Sequence, residues 1–104
     1  MSDYCVVKTT FANKKDAQKM AQKLLQNKLA ACGQISTIES LYLWGGQIEQ
    51  ENEFLLAIKT RKNLFAKVKK MIMQSHEYEV PQIVMLPILD ADEQYLAWVD
   101  SCLN

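Results

Sequence analysis

The sequence has few glycines and prolines, no excess of basic residues and no long apolar run. Glycine occurs three times and proline twice in 104 residues, which excludes a collagen-like or low-complexity chain. Lys plus Arg and Asp plus Glu each number 12, so the chain lacks the basic surplus that binding to nucleic acid phosphates requires. No apolar run approaches the roughly 18 residues of a membrane span. We therefore expect one domain over residues 1–104, soluble and cytoplasmic, with neither nucleic acid nor membrane as a partner.

The cysteines and the known catalytic motifs are equally sparse. Cys5, Cys32 and Cys102 are an odd number at wide spacing, and there is no CxxC, which argues against a disulfide framework and an ordinary structural zinc site. There is also no nucleophile elbow, Gly-rich phosphate loop or HExxH sequence. Cys32 and His76 form the only candidate nucleophile and base pair. We expect that the protein is not an enzyme.

Residues 40–58 are predicted to form a long β-hairpin. Gly45 and Gly46 allow positive φ at both central positions of a two-residue turn between Trp44 and Gln47. The strands extend from about residue 35 to residue 60, which is long against the usual five or six residues. A chain of this size cannot cover so long a ribbon, so we expect the hairpin to pair with other copies. The turn predicts two cross-strand pairs, Tyr42 with Glu49 and Leu43 with Ile48.

The segments on either side of the hairpin predict two further strands and three helices. Tyr4–Thr10 is rich in β-branched and aromatic residues, and Asn13 is a good N-cap for a first helix. A second helix is expected from about Lys62. A strand is expected over Val80–Leu89, and its two prolines place it at a sheet edge because proline cannot donate to a ladder. The first helix has the apolar stripe Ala17, Met20, Ala21, Leu24 and Leu25, and the closing helix, capped within residues 90–92, has Tyr95, Leu96, Val99, Cys102 and Leu103.

The order of these elements predicts an α+β, ferredoxin-like β-α-β-β-α-β sandwich with a C-terminal helix. In that topology two helices cover one face of an antiparallel sheet, the first and third strands are central, and the second and fourth are edges. The second strand is poorly protected as an edge, since Glu39 is its only charge between Cys32 and Trp44. We expect this edge to pair with a neighbouring subunit in a closed ring, whose size the topology leaves open.

Several short motifs follow one another along nearly the whole chain. They are Leu29-Ala30-Ala31-Cys32, Tyr42-x-Trp44-x-Gly46-x-Ile48, Lys59-Thr60, His76-x-Tyr78-Glu79-Val80-Pro81, Leu86-Pro87 and Tyr95-Leu96-x-Trp98. Each motif alone is weak, but their combination and order resemble the CutA divalent-cation tolerance family. The resemblance implies a ferredoxin-like fold and a homotrimer joined by strand pairing. It also implies a link to tolerance of copper and other divalent ions, a likeness to trimeric PII-type signalling proteins, and no established enzymatic activity.

Two positions depart from the pattern of that family. Glu77 stands where the family usually has proline after the histidine, and its carboxylate adds a ligand or loosens the turn. Thr9 stands where some relatives carry a cysteine that has been proposed as a metal ligand. Cys5 shares the strand face of Thr9 but lies about 13 Å away along the strand, so it is a poor substitute.

A metal site is predicted at Cys32, His76 and Glu77. A neutral imidazole and a thiolate suit copper or zinc, and His76 and Cys32 match two positions of the site that the resemblance implies. The expected ligand is Cu(II) or another divalent cation, with no other cofactor. The alternative is that His76 is a hydrogen-bonded loop residue and Cys32 a small buried hydrophobe.

Two further groups of residues suggest binding surfaces. Glu49, Glu51 and Glu53 repeat at period two on one strand face, where they either bridge a hard cation or form a solvated surface. The second group, predicted to pack between subunits or to line an intersubunit pocket, comprises Tyr42, Trp44, Tyr78, Tyr95 and Trp98. Lys59, with Thr60, is predicted near this pocket, where it either holds an anion or is a hydrogen-bonded lysine at the end of a strand.

These observations support two hypotheses about function. The first is a homotrimer that binds divalent metal, copper first, and takes part in tolerance of metal ions. The second is a PII-like signalling or scaffold protein that binds a small ligand or a protein partner at clefts between subunits.

Overall fold

The computed structural model describes residues 3–104, which form one four-stranded antiparallel sheet with the strand order β2-β3-β1-β4. The two central strands and the two edges are those that the sequence predicts, and the α+β fold is confirmed. No helix in residues 3–104 is long and apolar enough to cross a membrane. The elements are β1 Tyr4–Phe11, α1 Lys14–Gln26, β2 Cys32–Trp44, β3 Gln47–Arg61, a 3-10 turn Lys62–Leu64, α2 Phe65–Ser75, β4 Ile83–Pro87 and α3 Glu93–Cys102.

The hairpin of β2 and β3 has the predicted turn and register. Gly45 and Gly46 have φ of 60° and 79°, values that L side chains rarely adopt. Tyr42 lies opposite Glu49, and Leu43 opposite Ile48, as predicted. The strands are longer than expected, since β2 begins at Cys32 and β3 ends at Arg61. The ribbon contributes to the elongated shape of 45 × 26 × 22 Å.

The hydrophobic core lies between the sheet and the layer of α1 and α2. Along the central strands alternate residues point into it, among them Val7 of β1 and Ile58 of β3, both with no exposed surface. The N-cap of α1 forms as predicted, because the side chain of Asn13 accepts from the Asp16 backbone N–H at 2.9 Å. A Cβ at Gly33 would come within 3.2 Å of the Cβ of Ala21, so the small residue allows α1 to approach β2 closely.

Three local predictions are corrected by the structure. The fourth strand covers only Ile83–Pro87, because residues 76–82 form a connection and Pro81 cannot donate to the ladder of β1. The second helix begins with a 3-10 turn, so α2 itself starts at Phe65. Leu25, predicted in the buried stripe of α1, is 41% exposed because it lies on the flank of the helix and not on the side facing the sheet.

The face of the sheet opposite α1 and α2 is only partly covered. α3 packs over its end near Lys59, whose amino group lies 5.8 Å from the centre of the Tyr95 ring. The far end of the hairpin leaves a group of large apolar side chains exposed to solvent. Its exposed apolar side chains are Leu41, Tyr42, Leu43, Trp44 and Ile48.

Candidate functional site at the base of the hairpin

His76 is held by contacts on both sides of its imidazole. Nε2 lies 2.7 Å from the backbone oxygen of Thr10, and Nδ1 accepts from the backbone N–H of Tyr78 at 3.1 Å. Because a carbonyl oxygen only accepts, these partners assign the proton to Nε2 and leave Nδ1 as the acceptor. The ring also stacks on Phe11, with centroids 4.6 Å apart. Both ring nitrogens are therefore occupied by backbone partners.

The other predicted metal ligands do not join His76 within one subunit. Cys32 pairs with Lys59 of β3, whereas Thr10, the partner of His76, pairs with Leu55. Lys59 and Leu55 are four residues apart along β3, which corresponds to about 13 Å. Glu77 is exposed on the connection after α2. In the described part of the chain no three His, Cys, Asp or Glu side chains gather into a group that could hold a metal ion, so the ligand set stays a prediction.

Thr9 lies on the other face of the sheet from that of Thr10. It is fully buried among the side chains that face the helices, and its hydroxyl has no hydrogen-bond partner in the described structure. Thr9 pairs with Leu56 of β3 and Ile83 of β4. The position at which some relatives carry a cysteine is thus part of the core in this chain.

Tyr78 and Glu53 form the closest side-chain contact of the site. The Tyr78 hydroxyl donates to Oε2 of Glu53 at 2.7 Å, and Glu53 is only 7% exposed. Burial, followed by the hydrogen bond to Glu53, raises the pKa of Tyr78 well above its ordinary value. The acidic row of β3 is therefore not uniformly solvated, since its innermost member is buried and bonded while Glu51 is exposed.

A cleft of about 730 Å³ lies between the hairpin and the connection after α2. Every charged side chain that lines it is acidic, and aromatic rings complete its walls. Burial and a hydrogen bond to Glu51 raise the pKa of Tyr42. Such a surface favours cations over anions. The lining includes Glu39, Glu49, Glu51, Glu53 and Glu79 with Tyr42, Trp44 and Tyr78.

The predicted intersubunit residues divide into two groups. Tyr42, Trp44 and Tyr78 line the cleft, whereas Lys59 and Trp98 lie near α3. The Lys59 amino group donates to Oε1 of Gln34 at 2.8 Å. The ring of Trp98 is tilted against that of Tyr95 at 5.6 Å, and Trp98 is 46% exposed. Lys59 and Trp98 therefore belong to a separate surface.

One polar cluster was missed by the sequence reasoning. Asp100 of α3 accepts from the Tyr4 hydroxyl and forms an ion pair with Arg61 at 3.0 Å. The hydrogen bond from Tyr4, followed by Arg61, lowers the pKa of Asp100. No local pattern could indicate this cluster, because Tyr4 and Asp100 are 96 residues apart in the sequence. It fixes α3 against the end of the sheet.

The fold and this cleft define a class of protein: a small ferredoxin-like protein with an acid-lined cleft beside a long β-hairpin. A family model described as CutA1 divalent ion tolerance protein matches residues 5–102. The chain belongs to this CutA1 family.

Relatives and solved structures agree with this assignment. The chain is 39% identical over 98 residues to a probable divalent-cation tolerance protein cutA homolog of Encephalitozoon cuniculi, covering 94% of this chain and 86% of that one. It is 40% identical over 97 residues to Protein CutA, chloroplastic, of Arabidopsis thaliana, covering 92% of this chain and 53% of the longer plant chain. The structure of the periplasmic divalent cation tolerance protein CutA from Archaeoglobus fulgidus superposes with a TM-score of 0.95 at 34% identity, covering 97% and 99% of the two chains.

Proposed function

We propose that this protein acts in tolerance of divalent cations by binding them directly, copper(II) first, as a homotrimer. The observation that carries the proposal is the match over residues 5–102 to a family described by divalent ion tolerance. The acid-lined cleft supports it, because five carboxylates without a lysine or arginine in the lining attract cations. The proposed role is binding and not catalysis, because the sequence has no nucleophile elbow, Gly-rich phosphate loop or HExxH motif.

The homotrimer is supported by the surface of the hairpin. Leu43 is 75% exposed and Ile48 is 72% exposed, although both are large apolar residues. β2 and β4 are both edges, so each subunit has two unpaired strand edges to offer its neighbours. Pairing one edge with the other in a closed ring would cover the edges and the apolar side chains together.

The cation ligands are proposed to be completed across the subunit boundary, because residues 3–104 of one chain form no group of three ligating side chains. Cys32 is half-buried and has a free thiol, and Glu77 is exposed. A thiolate favours copper or zinc, whereas the carboxylates of the cleft favour harder cations. His76 could coordinate a metal through Nδ1 only after releasing the N–H of Tyr78, so Cys32 is the more accessible of the two.

The test is a calorimetric titration of Cu(II) and Zn(II) into the reduced protein, with subunit number measured by light scattering. We expect a trimer that binds Cu(II) stoichiometrically, with binding weakened in Cys32→Ser and unchanged in Cys102→Ser, the matched control. Binding that is weak, or that ignores Cys32, Glu77 and His76 alike, would contradict direct coordination at the predicted residues. A signalling role at the clefts between subunits would then be the hypothesis to test.

A further inference from the structure

The outer face of α1 carries a row of three lysines at helical spacing. Lys15, Lys19 and Lys23 are four residues apart, so they follow one line along the helix at intervals of about 6 Å. All three are exposed. The only acid of α1 is Asp16, whose carboxylate accepts from the side-chain amide of the N-cap residue Asn13 and whose backbone N–H donates to the side-chain oxygen of Asn13. We refer to Lys15, Lys19 and Lys23 as the lysine row.

The lysine row is the centre of a wider separation of charge. The chain has 12 basic and 12 acidic residues. Segments 14–28 and 62–70, which form the helical layer, hold nine of the basic residues and only one acid, Asp16. The hairpin, the connections and α3 hold most of the acids. The nine basic residues are Lys14, Lys15, Lys19, Lys23, Lys28, Lys62, Lys67, Lys69 and Lys70.

This arrangement brings like charges together in the helical layer, and no ion pair within residues 3–104 offsets their repulsion. Like charges four residues apart repel on a helix surface. Lys14 and Lys15 stand in the first turn of α1, where the helix dipole disfavours cations, and the first turn of α2 has no acid. The one ion pair found in that part of the chain joins Arg61 to Asp100, outside the helical layer. A helix surface that departs from these rules of charge placement is expected to have a function.

We propose that the lysine row docks an acidic helical segment of a partner protein whose carboxylates repeat every fourth residue. Such a helix presents charges at the same interval of about 6 Å, so each lysine can face one carboxylate. Exposed Gln22 and Gln26 flank the row and offer amide groups for hydrogen bonds with the partner. The occupant is thus complementary to the row in charge and in spacing.

The composition of α1 favours a protein partner over other polyanions. α1 contains no arginine and no aromatic residue, the side chains that stack on unpaired bases. Its apolar stripe, Ala17, Met20, Ala21 and Leu24, is buried against the sheet and is not available for insertion into a lipid surface. A nucleic acid or a membrane would therefore contact only the ammonium groups of the lysine row.

The test measures fluorescence anisotropy of a labelled helical peptide with three glutamates at four-residue spacing, titrated with the full-length chain. A second peptide has the same composition with the glutamates two residues apart. We expect the first peptide to bind more tightly than the second, and its affinity to fall as the salt concentration rises. The triple variant Lys15→Gln, Lys19→Gln, Lys23→Gln should bind it about tenfold more weakly. The triple variant Lys67→Gln, Lys69→Gln, Lys70→Gln removes the same charge from α2 and should bind within about twofold of wild type.

Three results would overturn the proposal. The first is equal weakening by the two triple variants, and the second is equal affinity for the two peptides. The third is tighter binding, through the same lysines, to duplex DNA or to phosphatidylserine vesicles. Lys19→Glu gives a further control, because it creates pairs of opposite charge with Lys15 and Lys23. We expect Lys19→Glu to have a higher melting temperature than wild type and no measurable binding of the first peptide. A lower melting temperature would show that the lysine row stabilises the fold and would contradict a docking role.

Discussion

The hydroxyl of Tyr78 donates to a carboxylate oxygen of Glu53 at 2.7 Å, and this contact ties the connection after α2 to the base of the hairpin. Glu53 comes from the centre of the sequence and is nearly buried, so the connection acts as its cover. The same connection carries His76, whose ring bonds to Thr10 of β1. Two side chains of one short segment therefore fix it to two central strands.

Replacing Tyr78 by phenylalanine should destabilise the protein. The substitution removes the hydroxyl that donates to Glu53 and leaves a buried carboxylate oxygen without that partner, which costs about 1–3 kcal/mol. Urea unfolding of the variant and wild type at one protein concentration measures the difference. Tyr95→Phe is the matched control, because the contacts of Tyr95 are made by its ring. Equal stability of wild type and Tyr78→Phe would show that the contact contributes nothing.

The raised pKa of Tyr78 predicts a loss of stability in alkali. The unfolded side chain titrates at its ordinary pKa of 10.0, and the folded one titrates higher. The contribution is therefore fully present below pH 10.0 and is lost as the pH rises towards the folded pKa. Melting temperatures between neutral pH and pH 11, the last value being about one unit past the ordinary pKa, should fall less steeply in Tyr78→Phe than in wild type. If the melting temperatures of wild type and Tyr78→Phe fell equally with pH, the raised pKa of Tyr78 would not contribute to the loss of stability. The raised pKa values of Tyr4 and Tyr42 would then account for the fall that the two proteins share.

Gly46→Val should disrupt the hairpin turn and, with it, the proposed trimer. A Cβ at this position would contact nothing within 4 Å, so no steric clash is expected with other residues. The loss of folding free energy comes from the backbone φ of +79° alone and is about 1–2 kcal/mol. Gly46→Asn is the matched control, because asparagine tolerates positive φ. Light scattering and thermal unfolding measure assembly and stability. A valine variant with wild-type mass and melting temperature would refute the importance of this turn.

His76→Ala should loosen the connection after α2 while leaving the core intact. The change removes the acceptor of the Tyr78 N–H and the stacking contact with Phe11. Amide exchange measured by NMR should become faster at Tyr78 but remain slow at Ile58, which is fully buried in β3. Ser75→Ala, at an exposed neighbouring position, is the control. Unchanged exchange at Tyr78 would mean that His76 does not hold the segment.

The hairpin could be predicted because its determinants are local. Gly45 and Gly46 select the turn, and the turn sets every pair along the two strands. The topology followed from the order of elements and the handedness of their connections. The period-two spacing placed Glu49, Glu51 and Glu53 on one face.

The contacts of the site could not be predicted in the same way. Spacing does not say which glutamate a distant segment will contact, and Glu53 is the one that bonds to Tyr78 of the connection after α2. The ion pair of Arg61 with Asp100 also depends on how α3 settles on the sheet. Leu25 shows a related limit, because helical period alone does not give the width of the buried stripe.

The division of charge between the helical layer and the hairpin has a consequence for handling the protein. The net charge is zero at pH 7, and a neutral protein is ordinarily expected to pass through ion-exchange resins. This chain nevertheless has one basic surface, at the lysines of the helices, and one acidic surface, at the acid-lined cleft. At low ionic strength it should be retained by cation and anion exchangers alike, bound through opposite sides of the same molecule.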